Sequence, residues 1–330
     1  DAVVLFHRNE HSIWAETLRH QGMERWLAQG KDPLLYRTFG MRLSGAGFRS
    51  EDARTLTADE TRECLINVHL HTAQTESIDA WREALEDVAR TDTRPYDQAL
   101  QEHSAWWDAF QERSWIHIEG KDVEHINRGY ALQRYITACA GRGEFPIKFN
   151  GSLFTVDAVE NGKRLDADYR RWGGPYWFQN TRLVYWPMLA AGDTEMMFPL
   201  FNIYREMLPF TESRTQVYFN HGGAFFPETL YFWGAYANDN YGYNRGDLPV
   251  GITENRYIRH YYDGALELIM LMLAYHAYTE ENAFLEEYVF PLAEPVLRFY
   301  FEHYGTDDLG KLRIYPSQAL ETYQDAVNPM

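Results

Sequence analysis

The chain has 330 residues, enough for two ordinary domains or for one large domain with an appendage, and its 45% hydrophobic and 24% charged content excludes wholesale disorder. A formal charge of −17 at pH 7, with no Lys/Arg-rich run to offset it, excludes nucleic acid as a partner. No apolar stretch reaches the ~20 residues that span a bilayer, and Cys64 and Cys139 lie too far apart for a zinc knuckle or a disulfide framework.

In chain order, residues 1–75 are β-rich. Tyr36–Leu43 and Cys64–His71 alternate like strands, with turn residues near Gly45 and Gly47. Residues 76–94 read as a helical linker, in which Ser77 and Asp79 cap a helix over Ala80–Ala89 and the polar run Arg90–Pro95 closes it. From residue 95 to 330 the pattern is helical. Apolar residues at three- and four-residue spacing predict helices over Tyr96–Arg113, Val123–Ala140, Asn180–Ala191, Glu195–Leu208, Tyr257–Thr279 and Asn282–Tyr304, with Leu266–Tyr278 as a core helix. Between them, Gly151–Gly174 and Asn220–Arg256 are long segments rich in Gly, Trp, Asn and Pro, of the length that loops keep when they carry function. This order predicts a mainly α fold. Helical hairpins would form a toroid with its loops gathered at one mouth, behind a β-rich segment.

Aromatics make up 16% of the chain, as 10 Trp, 23 Tyr and 19 Phe, and many stand beside amides, acids or arginines instead of in aliphatic runs. A pyranose ring offers C–H patches that stack on aromatic faces, and hydroxyls that need planar amide or carboxylate partners. The composition therefore points to a sugar site, against the alternative that large aromatics fill a large core. The partner expected is an oligosaccharide or polysaccharide. No Gly-rich phosphate loop and no metal-ligating His pair is present, so no cofactor is expected.

Several ordered motifs carry a resemblance: Tyr96–His103 with Trp106–Ile118, Arg134-Tyr135 leading through Pro146–Gly151, Trp177–Pro187 with its Tyr-Trp-Pro ending, and Pro316–Glu321. In these the chain resembles the α-L-fucosidase and α-L-galactosidase family of inverting glycoside hydrolases, family ninety-five. The resemblance implies an (α/α)6 barrel behind an N-terminal β-sandwich, a secreted or periplasmic bacterial enzyme, and an exo-acting attack on a terminal α-linked sugar of a plant or host glycan. It assigns Glu321 as the acid and places Asn180 at one of two water-positioning asparagines. Phe178 stands where the other would be. The family's distant Asp falls beyond Met330, so an incomplete barrel is expected.

On their own chemistry, two glutamates compete for the acid role. Glu321 sits in a Pro/Ser-opened turn. Glu228 follows Gly222, Gly223 and Pro227 in an aromatic loop, where partial burial would raise its pKa; the alternative for either residue is a carboxylate in a helix's first turn. Asn180 orients water or a hydroxyl, or else caps a helix. Arg182 binds a hydroxyl or holds a carboxylate. Trp172, Trp177, Trp186 and Trp233 are platform candidates, and Asn150 and His221 are further sugar contacts. Asp166 and Asp168 bind hydroxyls or, more weakly signalled, a cation. Rival readings are a polysaccharide lyase on a similar toroid and a catalytically silent glycan-binding protein.

Overall fold

The computed structural model describes residues 1–148, 150, 159–165, 173–319 and the backbone of 322–326. The chain is mainly α with an N-terminal β segment, and it divides into two compact units, residues 1–19 with 27–107 and residues 20–26 with 108–330.

In the first unit, strand β1 (Ala2–Arg8) leads to helix α1 (Trp14–His20), and β2 (Arg37–Gly45) pairs antiparallel with β1. A short hairpin of β3 (Phe48–Ser50) and β4 (Leu56–Ala58) follows, and β5 (Ile66–Gln74) completes a sheet of order β1-β2-β5. The strands expected from alternation are thus present, one to three residues further along. Gly40 sits where β1 comes nearest, since a Cβ there would stand 2.2 Å from the Leu5 carbonyl oxygen. Helix α2 (Ile78–Thr91) starts as its sequence demands, with Ser77 Oγ accepting from the Ala80 amide at 3.1 Å. One turn apart on its inner face, Trp81 and Leu85 are fully buried, the indole against Phe6 and His71. Removing such an indole costs roughly 3–5 kcal/mol. Helix α3 (Tyr96–Arg113) starts in this unit and ends in the second.

The second unit continues with α4 (Glu124–Ala140) and a small β6 (Val159–Glu160) and β7 (Lys163–Arg164) hairpin. Strand β8 (Tyr176–Trp177) runs directly into α5 (Phe178–Thr181), a 3-10 turn at Arg182–Val184 and α6 (Trp186–Ala191). The single helix expected over Asn180–Ala191 is therefore split. Pro187 has no amide hydrogen to continue the ladder, so the helix restarts around it. The 22-residue α7 (Phe198–Phe219) is the spine of the unit and runs through Pro209, where the sequence predicts a stop at Leu208. Buried Tyr204, Met207, Phe210, Thr211 and Arg214 lie on both sides of the proline, and packing overrides its local cost.

Strand β9 (Thr229–Leu230), α8 (Asn238–Tyr241), α9 (Gly264–Thr279), α10 (Asn282–Phe284) and α11 (Phe290–His303) follow, then β10 (Ser317–Ala319) and β11 (Thr322–Ala326), which pair with each other. Helix α9 starts seven residues later than expected. The Gln318 side chain takes the His260 amide at 2.7 Å and the Tyr257 carbonyl, so backbone groups that a helix would use are bonded elsewhere. The helix expected over Asn282–Tyr304 contains a π turn at Leu285–Val289 ahead of α11.

Two buried arginines fix the frame. Arg134 on α4 forms a fork with Asp193, at 2.8 and 3.2 Å, and donates to the Phe110 and Ser114 carbonyls. Arg214 on α7 donates to the Phe225 and Gly234 carbonyls, which brackets the loop that carries Glu228. Gln21 holds the far end of that loop, donating to the Tyr236 carbonyl at 2.9 Å and accepting from its amide at 3.0 Å. Among the described residues, no helix is long and apolar enough to cross a membrane.

Candidate active site

The site grows from a two-residue ladder. Strands β8 and β9 pair Tyr176 with Leu230 and Trp177 with Thr229, and the Phe178 amide donates to the Glu228 carbonyl at 3.0 Å. Because α5 starts at once after β8, its first amides have no helical partner. The Gln179 amide takes the Glu228 carboxyl instead, at 3.0 and 3.3 Å to the two oxygens, and the Tyr261 hydroxyl hydrogen-bonds the same group. Glu228 is 0% exposed. Burial pushes its carboxyl up to about 8 against the opposing pull of the Gln179 amide and Tyr261, so the group keeps its proton at neutral pH.

A second carboxyl faces the same interior. Asp263 stands at the N-terminal cap of α9 but makes no side-chain capping bond, and its Oδ1 is buried with no hydrogen-bond partner. Burial raises it to about 6, and the Glu267 carboxylate adds to the shift while its own amide and Arg182 oppose it. Its charge also reaches Glu228, Tyr261, Tyr300 and Tyr304. Buried Tyr204 is raised by burial and then by Glu228, which places it in the same electrostatic neighbourhood. The pair therefore sits among tyrosines, with Arg182 as a cation whose charge opposes both upward shifts.

The outer wall is built one helical turn further on. Glu267 accepts from Arg182 Nε at 2.6 Å and from Trp186 Nε1 at 3.1 Å, and Arg182 also donates to the Gln179 carbonyl. Arg182 is thus spent on holding Glu267 and the α5 turn. Trp177, Gln179, Asn180, Arg182, Trp186, Asp263 and Glu267 are all half-buried and form the accessible side of the cluster.

The structure brings together Glu228, Arg182 and Trp186 from the sequence candidates, through Gln179, Glu267 and Asp263. Trp177 and Asn180 flank Gln179 on β8 and α5. Asn180 lies inside α5 and is not its cap, which Trp177 occupies. Glu228 likewise precedes a strand and does not open a helix. Trp233 stacks on Tyr231 at 4.5 Å, and Asn150 is a half-buried turn residue. His221 belongs to an aromatic cluster: its Nε2 meets His303 Nδ1 at 2.9 Å and its ring stacks on Phe219. Glu321, Trp172, Asp166 and Asp168 lie outside the described residues. Sequence reasoning passed over Asp263, Tyr261 and Glu267, because an Asp before an apolar helix reads as an ordinary cap and a Glu in its first turn as a dipole partner.

Residues 1–116 match a domain of unknown function, DUF5703. No curated protein matches the sequence. A solved structure described as "Putative kojibiose phosphorylase from human microbiome" is similar in fold, with a TM-score of 0.64 at 11% sequence identity over 88% of this chain. The chain spans 37% of that protein's length.

Proposed function

We propose that the chain carries the catalytic centre of a glycoside hydrolase on an (α/α)6-type toroid, with residues 95–330 as the catalytic domain. The reading is of an inverting, exo-acting enzyme that removes a terminal α-linked fucose- or galactose-type sugar. The observation that carries it is Glu228, a carboxyl that burial keeps protonated up to about pH 8. Cleaving a glycosidic bond needs an acid that still owns its proton at working pH, beside a second carboxylate that does not. Asp263, ionised above about 6, supplies the second. Asn180 then orients water or a ring hydroxyl, Trp177 and Trp186 offer platforms, and Arg182 positions Glu267. The likeness in fold to a kojibiose phosphorylase supports carbohydrate chemistry and raises phosphate as a rival to water. With Glu228 protonated and Glu267 paired to Arg182, ionised Asp263 leaves the site negative, and that balance favours water over an anionic nucleophile.

A second assignment of the acid rests on the complete burial of Glu228. In it, Glu321 donates the proton, as the family resemblance implies, and Glu228 orders the α5 turn beneath the sugar. Release of free sugar from aryl α-glycosides, including the fucoside and galactoside, decides between them. Loss of turnover in Glu228→Gln with Glu321→Gln active supports the first assignment, and the converse supports the second. Unsaturated, ultraviolet-absorbing products would identify a lyase, sugar 1-phosphate made only with added phosphate a phosphorylase, and binding without turnover a silent relative.

A further inference from the structure

Residues 239–257 line a separate, open depression of about 460 Å³ on the surface, walled by Asp239, Tyr243, Asn244, Glu254, Asn255, Arg256 and Tyr257. A volume of that order accommodates a small saccharide, since ligand sites run to roughly 300–1,000 Å³. Its walls are set in advance by short-range bonds. The Asn244 amide donates to Glu254 Oε2 at 3.1 Å, and Asn255 Nδ2 donates to Asn240 Oδ1 at 2.6 Å. The Tyr257 amide donates to Asn255 Oδ1 at 3.0 Å. Gly242, at φ 99°, presses so close to Glu254 that a Cβ would meet it at 2.2 Å. Arg245 lies 3.8 Å over the Tyr241 ring and donates to the Tyr241 and Pro249 carbonyls, tying the loop shut behind.

Against this rigid backing, two aromatic faces stay open. Tyr243 is 64% exposed although its ring stacks on His20, and Tyr257 is 54% exposed. Exposed tyrosines, two amides and two carboxylates around one open depression match the alternating C–H faces and hydroxyls of a sugar. Asp239 and Glu254 outnumber Arg256, so the depression disfavours uronates and sulfated sugars. A continuous segment links it to the candidate active site. Tyr257 lines the depression, Gln318 pins Tyr257 and His260, and the segment ends at Asp263, the partner carboxyl of Glu228.

We propose that this depression binds a neutral sugar unit of the glycan whose bond the Glu228–Asp263 centre cleaves, which makes an oligosaccharide a better substrate than a simple glycoside. The link to cleavage rests on the proposed function, whereas the binding does not. Calorimetric titration of the full chain with neutral tetrasaccharides of galactose, xylose and glucose, and with tetragalacturonate, tests the binding. One or more neutral members should bind, tetragalacturonate should not, and Tyr243→Ala and Tyr257→Ala should each weaken affinity about tenfold without lowering Tm. Binding of no member, binding equal in the tyrosine variants, or tighter binding of the uronate overturns the proposal. Tyrosine-dependent binding without turnover leaves the sugar site standing and the hydrolase reading fallen. Turnover of the bound oligosaccharide with KM unchanged in both tyrosine variants does the reverse.

Discussion

Two pairs of buried ionisable groups in the helical unit are handled in opposite ways. Asp193 sits in a fork of Arg134, with Arg113 3.6 Å away, and the Arg134 guanidinium lies 4.1 Å over the Phe110 ring while its remaining protons reach backbone carbonyls. Every charge there is answered, which is how a fold tolerates buried ions. At Glu228 and Asp263 a fully buried acid meets a half-buried one, the Arg182 guanidinium is committed to Glu267, and one Asp263 oxygen has no partner. A fold gains nothing in stability from that arrangement. Groups held against their preferred ionisation in this way are those available for chemistry.

The comparison is broken most sharply at Glu228. Glu228→Gln keeps the shape and the Gln179 contact but removes the proton donor, and turnover should fall by roughly 10²–10⁴-fold in an initial-rate assay. The same change leaves the fold intact, whereas Arg134→Ala should cost about 3–5 kcal/mol in urea unfolding, since it strips buried Asp193 of its fork and leaves it only Arg113, 3.6 Å away. Equal losses of stability in the two variants would erase the distinction.

The pH profile sharpens it further. With Asp263 ionising at about 6 and Glu228 at about 8, kcat/KM should be bell-shaped between those values. Asp263→Asn should abolish the acidic limb and spare the alkaline one. Stability should follow the same proton. Below its ordinary value of 4.5, Glu228 is protonated both folded and unfolded, and it contributes no pH dependence. As pH rises from there to about 8 the unfolded chain ionises and the folded one does not, so stability falls across that window and the loss levels off above it. Tm followed from pH 5 to 9 should fall less in Glu228→Gln than in the parent chain.

Much of the scaffold was legible because its signals are local. Tyr96–Arg113 matches α3 residue for residue, Ser77 caps α2, and the apolar run at Leu266–Tyr278 lies within the core helix α9. Two of the misread boundaries share one cause, a local rule overruled by a distant partner. Packing carries α7 across Pro209, and Gln318, 58 residues from His260, delays α9. The site divides along the same line. Glu228 was legible from its glycine- and aromatic-rich loop. Asp263 was not, because its meaning lies in a missing capping bond and in Glu228, 35 positions earlier, neither of which leaves a trace in the pattern of residues. The fold similarity reaches a carbohydrate enzyme by shape alone, at 11% identity.

Infrared spectroscopy of the chain in heavy water, titrated from pH 5 to 9, tests the buried acid most directly. A protonated carboxyl band that persists at pH 7, fades near pH 8 and is absent from Glu228→Gln is the expected result. A spectrum in which every carboxyl is ionised by pH 6, or a band unchanged in Glu228→Gln, would contradict a proton held at Glu228.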